Sequence, residues 1–313
     1  GTNTAGSASL TVNQSVAIVS APLSQTNCPG STASFSVSAT GTGLSYQWYK
    51  GVSVLAGRTS NLLQLPSVSA ADAGTYSVVV SGTCGSVTNS ASLTVNNDVA
   101  IVSSPLSQTN CPGTTASFSV SATGTGLAYQ WYKGTSPLAG RTSNLLQLSS
   151  VSAVDAGTYS VVVSGTCNSV TNSASLTVNQ SVVVTSSPLS QTNCPGTTAS
   201  FSVGATGTGL SYQWFKGSSP LAGKTSNLLQ LSSVSAVDAG TYNVVVSGTC
   251  SSVTNSASLT VNQDVVVASS PMSQTNCPGT TANFSVSATG TGLVYQWYKG
   301  TSPLAGRTSN LLQ

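Results

Sequence analysis

Apolar and polar residues alternate along the chain in short runs separated by Gly, Pro, Asn and Ser. In ASFSVSA the apolar residues occupy every second position, and four later runs show the same alternation. The apolar positions of the first unit are Ala33, Phe35, Val37 and Ala39; Leu44, Tyr46 and Trp48; Leu63, Leu65 and Val68; Tyr76, Val78 and Val80; and Ala91, Leu93 and Val95. Because successive side chains of a strand point to opposite faces, each run predicts a half-buried strand. No stretch has helical spacing, so the pattern predicts an all-β fold of antiparallel two-sheet sandwiches.

The pattern repeats along the chain every 83 residues. The heptapeptide SQTNCPG begins at Ser24, Ser107, Ser190 and Ser273. Complete copies occupy residues 14–96, 97–179 and 180–262, here called repeats 1, 2 and 3. Residues 1–13 are expected to form the last strand of a preceding copy, and residues 263–313, the partial repeat, lack the last two strands.

These ends predict a window onto a longer tandem array, because a sandwich without its last strands exposes apolar faces and strand edges. A truncated piece of the protein is the alternative. Strand exchange between chains is less favoured, since the N-terminal piece supplies only one of the two missing strands.

Composition excludes several classes of function. Only 4% of the residues are charged, and the chain contains no His and no Glu. General acid–base catalysis and most metal sites need such side chains, so we expect neither an enzyme nor a bound cofactor. The net charge of +3 includes no Lys/Arg cluster, which argues against a nucleic-acid partner. No apolar run approaches the roughly 18 residues of a membrane span.

The sequence YQWYK, followed about two dozen residues later by DAGTY, resembles an immunoglobulin-like domain. The resemblance implies a core Trp and a corner Tyr in each copy: Trp48, Trp131, Trp214 and Trp297, with Tyr76, Tyr159 and Tyr242. Val37 and Val78 occupy the positions of the inter-sheet disulfide of antibody domains, so apolar packing replaces that bond. The resemblance also implies an ion pair between Arg58 and Asp72, for which a solvated pair of little energetic value is the simpler interpretation.

More narrowly, the repeat resembles the Ig-like repeats of very large secreted or surface proteins of bacteria. That resemblance implies an extracellular location at a bacterial cell surface and a role in adhesion or surface structure. Seven cysteines without a metal-type cluster are also typical of an oxidising compartment.

Each complete copy contains one Cys just before its second strand, B, and one at the turn between its last two strands, F and G. In an Ig-like sandwich strands B and F run in the same direction, so these cysteines lie at opposite ends of one domain, some 23 Å apart. A disulfide requires Cα atoms within about 7 Å. In a head-to-tail array, however, the first Cys faces the F–G turn of the next copy.

We therefore predict inter-domain disulfides Cys28–Cys167 and Cys111–Cys250. Cys84, Cys194 and Cys277 are expected to bond to further copies or to remain free. A bond within one domain and free thiols throughout are the alternatives. Such a bond beside each short linker would make the array stiff.

One aromatic side chain per copy points away from the core beside the Trp: Tyr49, Tyr132, Phe215 and Tyr298. These residues are candidate contacts with glycans or with neighbouring rods, although single exposed aromatic residues are common.

Two functions fit these observations. The first is a structural stalk or filament, whose partners are neighbouring repeats and other copies of itself. The second is an adhesin whose repeats bind glycans or surfaces through the outward aromatic residues.

Overall fold

The computed structural model describes residues 6–313. The chain divides into two compact units. The first comprises the described residues up to Gln108 together with Thr115–Ser149 and Asp155–Thr177, and the second comprises Thr109–Thr114, Ser150–Val154 and Val178–Gln313. Each unit is described by itself.

Repeat 1 lies in the first unit and consists of nine strands and one 3-10 turn. The strands are β1 (Ala17–Ser20), β2 (Gln25–Asn27), β3 (Ala33–Ser36), β4 (Ser38–Thr40), β5 (Ser45–Lys50), β6 (Ser53–Val54), β7 (Leu62–Leu65), β8 (Gly74–Gly82) and β9 (Gly85–Val95), and the 3-10 turn is Ala70–Asp72. One sheet has the order β2-β9-β8-β5-β6, while β1 pairs with β4 and β3 with β7. The two sets of strands pack face to face around one core.

Aromatic side chains from both layers fill that core. Trp48 on β5, Tyr76 on β8 and Phe35 on β3 are each at most 1% exposed. The ring centroids of Phe35 and Tyr76 lie 5.2 Å apart, and those of Phe35 and Trp48 lie 6.2 Å apart. Replacing a core Phe or Trp by Ala typically costs about 3–5 kcal/mol, so these three rings account for much of the stability of the repeat.

The first two strands of the repeat, β1 and β2, belong to different layers. β1 pairs with β4, whereas β2 pairs in parallel with β9, through Gln25↔Leu93, so the sandwich is not wholly antiparallel. The buried Pro22 lies between β1 and β2. Because Pro has no N–H group, the crossing chain buries no unpaired donor at that position.

The later copies repeat these elements. Repeat 2 comprises β10 (Ala100–Ser103), β11 (Gln108–Asn110), β12 (Ala116–Ser119), β13 (Ser121–Thr123), β14 (Ala128–Lys133), β15 (Ser136–Pro137), β16 (Leu145–Leu148), a 3-10 turn (Ala153–Asp155), β17 (Gly157–Ser164) and β18 (Ser169–Val178). Repeat 3 comprises β19 (Val183–Ser186), β20 (Gln191–Asn193), β21 (Ala199–Ser202), β22 (Gly204–Thr206), β23 (Ser211–Lys216), β24 (Ser219–Pro220), β25 (Leu228–Leu231), a 3-10 turn (Ala236–Asp238), β26 (Gly240–Ser247) and β27 (Ser252–Val261).

The partial repeat retains short strands, β28 (Val266–Ser269), β29 (Phe284–Ser285), β30 (Ser287–Thr289), β31 (Tyr298–Lys299), β32 (Ser302–Pro303) and β33 (Leu311–Leu312). Trp297 is only partly buried, in contrast to the core position predicted for it. In repeat 1 Trp48 is covered by residues of β8 such as Val78, and residues 263–313 contain no equivalent of that strand.

The segment expected to be the last strand of a preceding copy has no strand partner within the described residues, and its assignment to a preceding copy stays a prediction. Residues 1–5 lie outside the described residues, and residues 6–14 form no strand. Leu10 and Val12, which match Leu93 and Val95 in sequence, are 89% and 78% exposed. Leu93 is buried because β9 is part of a sheet and its side chain packs into the core of repeat 1, whereas the structure places no neighbouring strand beside Leu10.

Candidate functional site: the disulfide-linked junction

A compact turn holds the first cysteine of each copy. In repeat 1 it follows β2, where the hydroxyl of Ser31 donates to the carbonyl oxygen of Cys28 at 2.6 Å and the N–H of Gly30 donates to that of Val68 at 2.8 Å. Gly30 has a φ of +79°, a conformation that residues with a Cβ rarely adopt. The position of the Cys28 backbone is therefore set by its own repeat.

The second cysteine of repeat 1 lies at the other end of the sandwich. β2 pairs with the end of β9, through Asn27↔Val95, whereas Cys84 precedes the first residue of that strand, Gly85. Ten residues of strand span about 33 Å, which is several times the Cα separation that a disulfide allows. A bond between Cys28 and Cys84 is therefore excluded by the fold.

Cys28 is instead bonded to Cys167, in the turn between β17 and β18 of repeat 2, with the two Cα atoms 5.5 Å apart. Cys111 is bonded to Cys250 in the same way, with a Cα separation of 5.4 Å. Each bond joins residues 139 positions apart. These are the two pairs predicted from the sequence, and each links one repeat to the next.

The linker between repeats 1 and 2 consists of residues 96–98, and hydrogen bonds attach it on both sides. The N–H of Asn96 donates to the carbonyl oxygen of Asn27 in repeat 1 at 2.9 Å. The next residue, Asn97, donates its N–H to the hydroxyl oxygen of Thr125 in repeat 2 at 2.8 Å and accepts the N–H of Thr125 at 3.1 Å. Repeat 1 thus binds one residue of the linker and repeat 2 binds the residue that follows it.

Val99 completes the attachment of the linker to repeat 2. Its side chain is 5% exposed, and its N–H donates to Oδ1 of Asn168 at 2.6 Å. Two glycines make room for it. A Cβ on Gly165 would lie 2.6 Å from Cγ2 of Val99, and a Cβ on Gly124 would lie 3.1 Å from its Cα.

The junction between repeats 2 and 3 has the same contacts. Asn179 donates its N–H to the carbonyl oxygen of Asn110 at 2.9 Å, and Gln180 donates to Oγ1 of Thr208 at 2.8 Å. The hydroxyl of Ser251 accepts the N–H of Val182 at 2.8 Å, as Asn168 does for Val99. The second linker is therefore held in the same way, with a different acceptor side chain.

Three cysteines remain as exposed free thiols, Cys84, Cys194 and Cys277. Cys84 is the equivalent of Cys167 and Cys250, and Cys194 and Cys277 are the equivalents of Cys28 and Cys111. Their bonding to further copies stays a prediction.

In repeat 1 the corner around Asp72 and Tyr76 differs from the expected ion pair. The hydroxyl of Tyr76 donates to the carbonyl oxygen of Asp72 at 2.8 Å, as the resemblance implies. The Asp72 carboxylate accepts the N–H and the hydroxyl of Ser69, each at 2.8 Å, and these bonds lower its pKa, with a smaller contribution from the charge of Lys50. The predicted partner Arg58 makes no ion pair with Asp72, whose carboxylate is bound by the nearby Ser69 instead.

Lys50 lies across this corner. Its Nζ donates to the carbonyl oxygen of Ala71 and lies 5.8 Å from the centroid of the Tyr76 ring. Burial raises the pKa of Tyr76, and the charge of Asp72 adds to that shift. The polar groups of Tyr76, Asp72 and Lys50 thus bind partners within the same repeat, which indicates a structural role for this corner.

The outward aromatic residues are less accessible than the sequence indicates. Tyr49, Tyr132 and Phe215 are each partly buried, and only Tyr298 is strongly exposed, at 58%. Tyr49 lies opposite Val54 of the edge strand β6 in the register of the sheet. Each of these aromatic residues directly follows the Trp of its own repeat in sequence.

Within residues 6–313 no group of three or more His, Cys, Asp or Glu residues lies together as metal ligands would. Across that same range, no helix has both the length and the apolar character needed to cross a membrane.

Comparison with known proteins identifies the fold. A three-domain I-band fragment of titin superposes with a TM-score of 0.66 at 19% identity, covering 80% of this chain and 99% of the fragment. A mutated variant of the same titin domains gives 0.65 at 20% identity, covering 79% and 99%. The chain is a tandem array of immunoglobulin-like sandwiches.

Similarity in sequence is a separate comparison from similarity in fold. No protein-family model matches the Ig-like array. The muscle M-line assembly protein unc-89 of Caenorhabditis elegans is 28% identical over 244 residues, covering 69% of this chain. The Ig-like array spans about 3% of the length of that curated relative, which is an animal protein rather than a bacterial one.

Sequence reasoning identified the cysteines of the junction but not the linker contacts. Thr125 recurs at the same position as Thr42, Thr208 and Thr291, within GTG, and this recurrence was the available signal. Asn168 carried no such signal, because Gly85 and Ser251 occupy its position in the other repeats.

Proposed function

We propose that this chain is a segment of a non-catalytic structural protein, a long extracellular Ig-like array that forms a stiff stalk or filament at a bacterial surface. The observation that carries the proposal is the junction, where a disulfide and a linker hydrogen-bonded on both sides join consecutive repeats. A few-residue linker alone leaves neighbouring domains free to move, and a second covalent tether removes much of that freedom.

Two arguments support the proposed extracellular location at a bacterial surface, one from the disulfides and one from the resemblance of the repeat. Disulfides persist in oxidising compartments, which favours an extracellular site. The bacterial surface rests on the resemblance of the repeat to surface Ig-like repeats. A structural role also agrees with the name of the muscle M-line assembly protein, although that relative is an animal protein.

We extend the proposal to the free thiols. Cys84, Cys194 and Cys277 occupy positions whose equivalents are bonded across junctions. They are suited to bond further copies of the repeat, whether in the same polypeptide or in a second chain. Neighbouring repeats and other copies of the protein are thus its proposed partners.

Electron microscopy of negatively stained full-length chain tests the stiffness. We expect a narrow distribution of angles between consecutive repeats in the oxidised chain and a broader one after reduction. The Cys167→Ser variant should broaden the first junction alone, while Cys84→Ser, which removes a free thiol, serves as the control. Equal angular spread in oxidised and reduced chains would contradict the stalk.

The second candidate is an adhesin that binds glycans or surfaces through its repeats. Its support is that Tyr132 and Phe215 retain partial exposure on the outer face of the five-stranded sheets. Changing both to Ser should abolish attachment to glycan arrays if the repeats bind directly. Unchanged attachment of a variant that folds normally by circular dichroism would exclude direct binding by these residues and would favour the structural role.

A further inference from the structure

We propose that the two disulfides redirect tension, so that a pulled chain transmits force through the sulfur bridges and backwards through part of repeat 2. The inference deepens the proposed structural role but rests on the connectivity of the bonds and not on stiffness. It follows from the overlap of two covalent rings. Cys28–Cys167 closes residues 28–167, Cys111–Cys250 closes residues 111–250, and both rings contain residues 111–167.

The taut path is the shortest covalent route between the chain ends. Force applied at the N-terminus reaches Cys28 and crosses to Cys167, which bypasses 139 residues of backbone. From Cys167 the route forward to Cys250 contains 83 residues, whereas the route back to Cys111 contains 56 and ends at a bond to Cys250. When the chain is unfolded and extended, the shorter backward route becomes taut and the longer one stays slack.

This path leaves the linkers of both disulfide-linked junctions and the end strands of repeat 2 without load. In repeat 2 the loaded segment runs from β12 to β17, while β10, β11 and β18 lie outside it. Phe118 on β12 contacts Tyr159 on β17, with ring centroids 5.3 Å apart, and contacts Trp131 at 6.3 Å. Separating β12 from β17 therefore requires opening the aromatic core instead of peeling away an edge strand.

Because the two rings overlap, the two disulfides together shorten the unfolded chain by less than the sum of their separate effects. Pulled from its ends, the fully unfolded reduced chain extends over 312 residue steps, about 1120 Å at 3.6 Å per residue. Either bond alone leaves 173 steps, about 620 Å. Both bonds together leave 27 steps before Cys28, 56 between Cys111 and Cys167 and 63 after Cys250, which make 146, about 530 Å.

The consequence is that reduction of the two disulfides releases additional contour length in unequal amounts. The second bond shortens the extended chain by only 27 steps beyond the first, so reducing one bridge lengthens it slightly. Each reduction is a thiol–disulfide exchange in which an added dithiol is oxidised to its own disulfide and the two cysteines become thiols. Reducing the remaining bridge then releases the full 139 steps. The chain yields in two unequal stages without breaking a peptide bond.

Single-molecule force spectroscopy of the full chain, held by peptide tags at both ends, tests this path. We expect contour lengths of about 530 Å oxidised and about 1120 Å with reductant, and about 620 Å for Cys167→Ser or Cys250→Ser. The Cys84→Ser chain should match the oxidised parent, because its thiol is free. These lengths belong to unfolded chains, so a variant that folds less stably still gives a reading if its remaining bond has formed.

Bonds within each repeat are the outcome that overturns the proposal. Three such bonds leave 144 steps, almost the same as the expected 146, so the variants must decide. With intra-repeat bonds, Cys84→Ser and Cys167→Ser would each leave 200 steps, about 720 Å. Those readings would refute the load path, whereas a broad distribution of angles in electron micrographs would refute only the stiff stalk.

Discussion

Oδ1 of Asn168 accepts a hydrogen bond of 2.6 Å from the backbone N–H of Val99. Asn168 belongs to the turn between β17 and β18, and Val99 is the first buried residue after the linker. The next junction uses Ser251 for the same purpose, with the N–H of Val182. The linker is thereby attached to the turn that also carries the junction cysteine.

Asn168→Ala should lower the free energy of unfolding of the oxidised chain by about 1 kcal/mol, because the N–H of Val99 loses its acceptor. Asn168→Ser is the matched control, since Ser already serves at the equivalent position. Urea denaturation gives the stability, and amide hydrogen exchange of Val99 reports the bond itself. Equal exchange rates in the Ala and Ser variants would contradict this role.

Gly165→Ala should destabilise the chain by about 1–3 kcal/mol, because a Cβ there would lie 2.6 Å from Cγ2 of Val99. Adding Val99→Ala removes that methyl group, so the double variant should be less destabilised than the sum of the single variants. Thermal unfolding of all three variants completes the cycle. Additivity within roughly 0.5 kcal/mol would show that the two residues do not meet.

Stability should fall as the pH drops below about 4, because the pKa values of Asp72 and Asp238 are lowered by hydrogen bonds from Ser69 and Ser235. A carboxyl whose pKa is lower in the folded state stabilises the fold above its unfolded pKa, and that contribution is lost as the pH falls through the folded pKa.

The double variant Asp72→Asn, Asp238→Asn should flatten this acid limb, and Ser69→Ala should flatten it partly, since the backbone N–H of Ser69 still donates. Urea denaturation between pH 5 and pH 2.5 measures the slope. An unchanged slope in the double variant would assign the acid sensitivity to other groups.

Tyr76→Phe should cost about 1 kcal/mol, because the hydroxyl donates to the carbonyl oxygen of Asp72 at 2.8 Å. Phe35→Ala should cost about 3–5 kcal/mol, because it removes a buried ring between both layers. Denaturant unfolding compares the two variants. Similar losses in both would mean that the hydroxyl and not the ring packing dominates at this corner.

The pairing of Cys28 with Cys167 could be predicted because it depends on quantities that the sequence contains. The 83-residue period sets which cysteines are equivalent, and strand length sets how far apart the two cysteines of one copy must be. Distance alone then excludes the bond to Cys84. The free or bonded state of Cys84 in a larger assembly remains a prediction.

The partner of Asp72 was predicted wrongly because ion pairs of exposed groups depend on small differences in position. Ser69 immediately precedes the 3-10 turn that contains Asp72 and offers two donors without ordering a long side chain. Arg58 would have to lose side-chain freedom for a bond that water largely screens. Local geometry therefore favoured the serine.

By itself, the sequence determined the sandwich, its period, its core rings and the cysteine pairs, because alternation and spacing are properties of the chain that survive without coordinates. Only the tertiary structure decided how β1 and β2 divide between layers and how Asn97, Thr125 and Asn168 bind the linker. Those contacts depend on the relative position and orientation of donors and acceptors in segments that are distant in sequence. That arrangement exists only once both layers have packed.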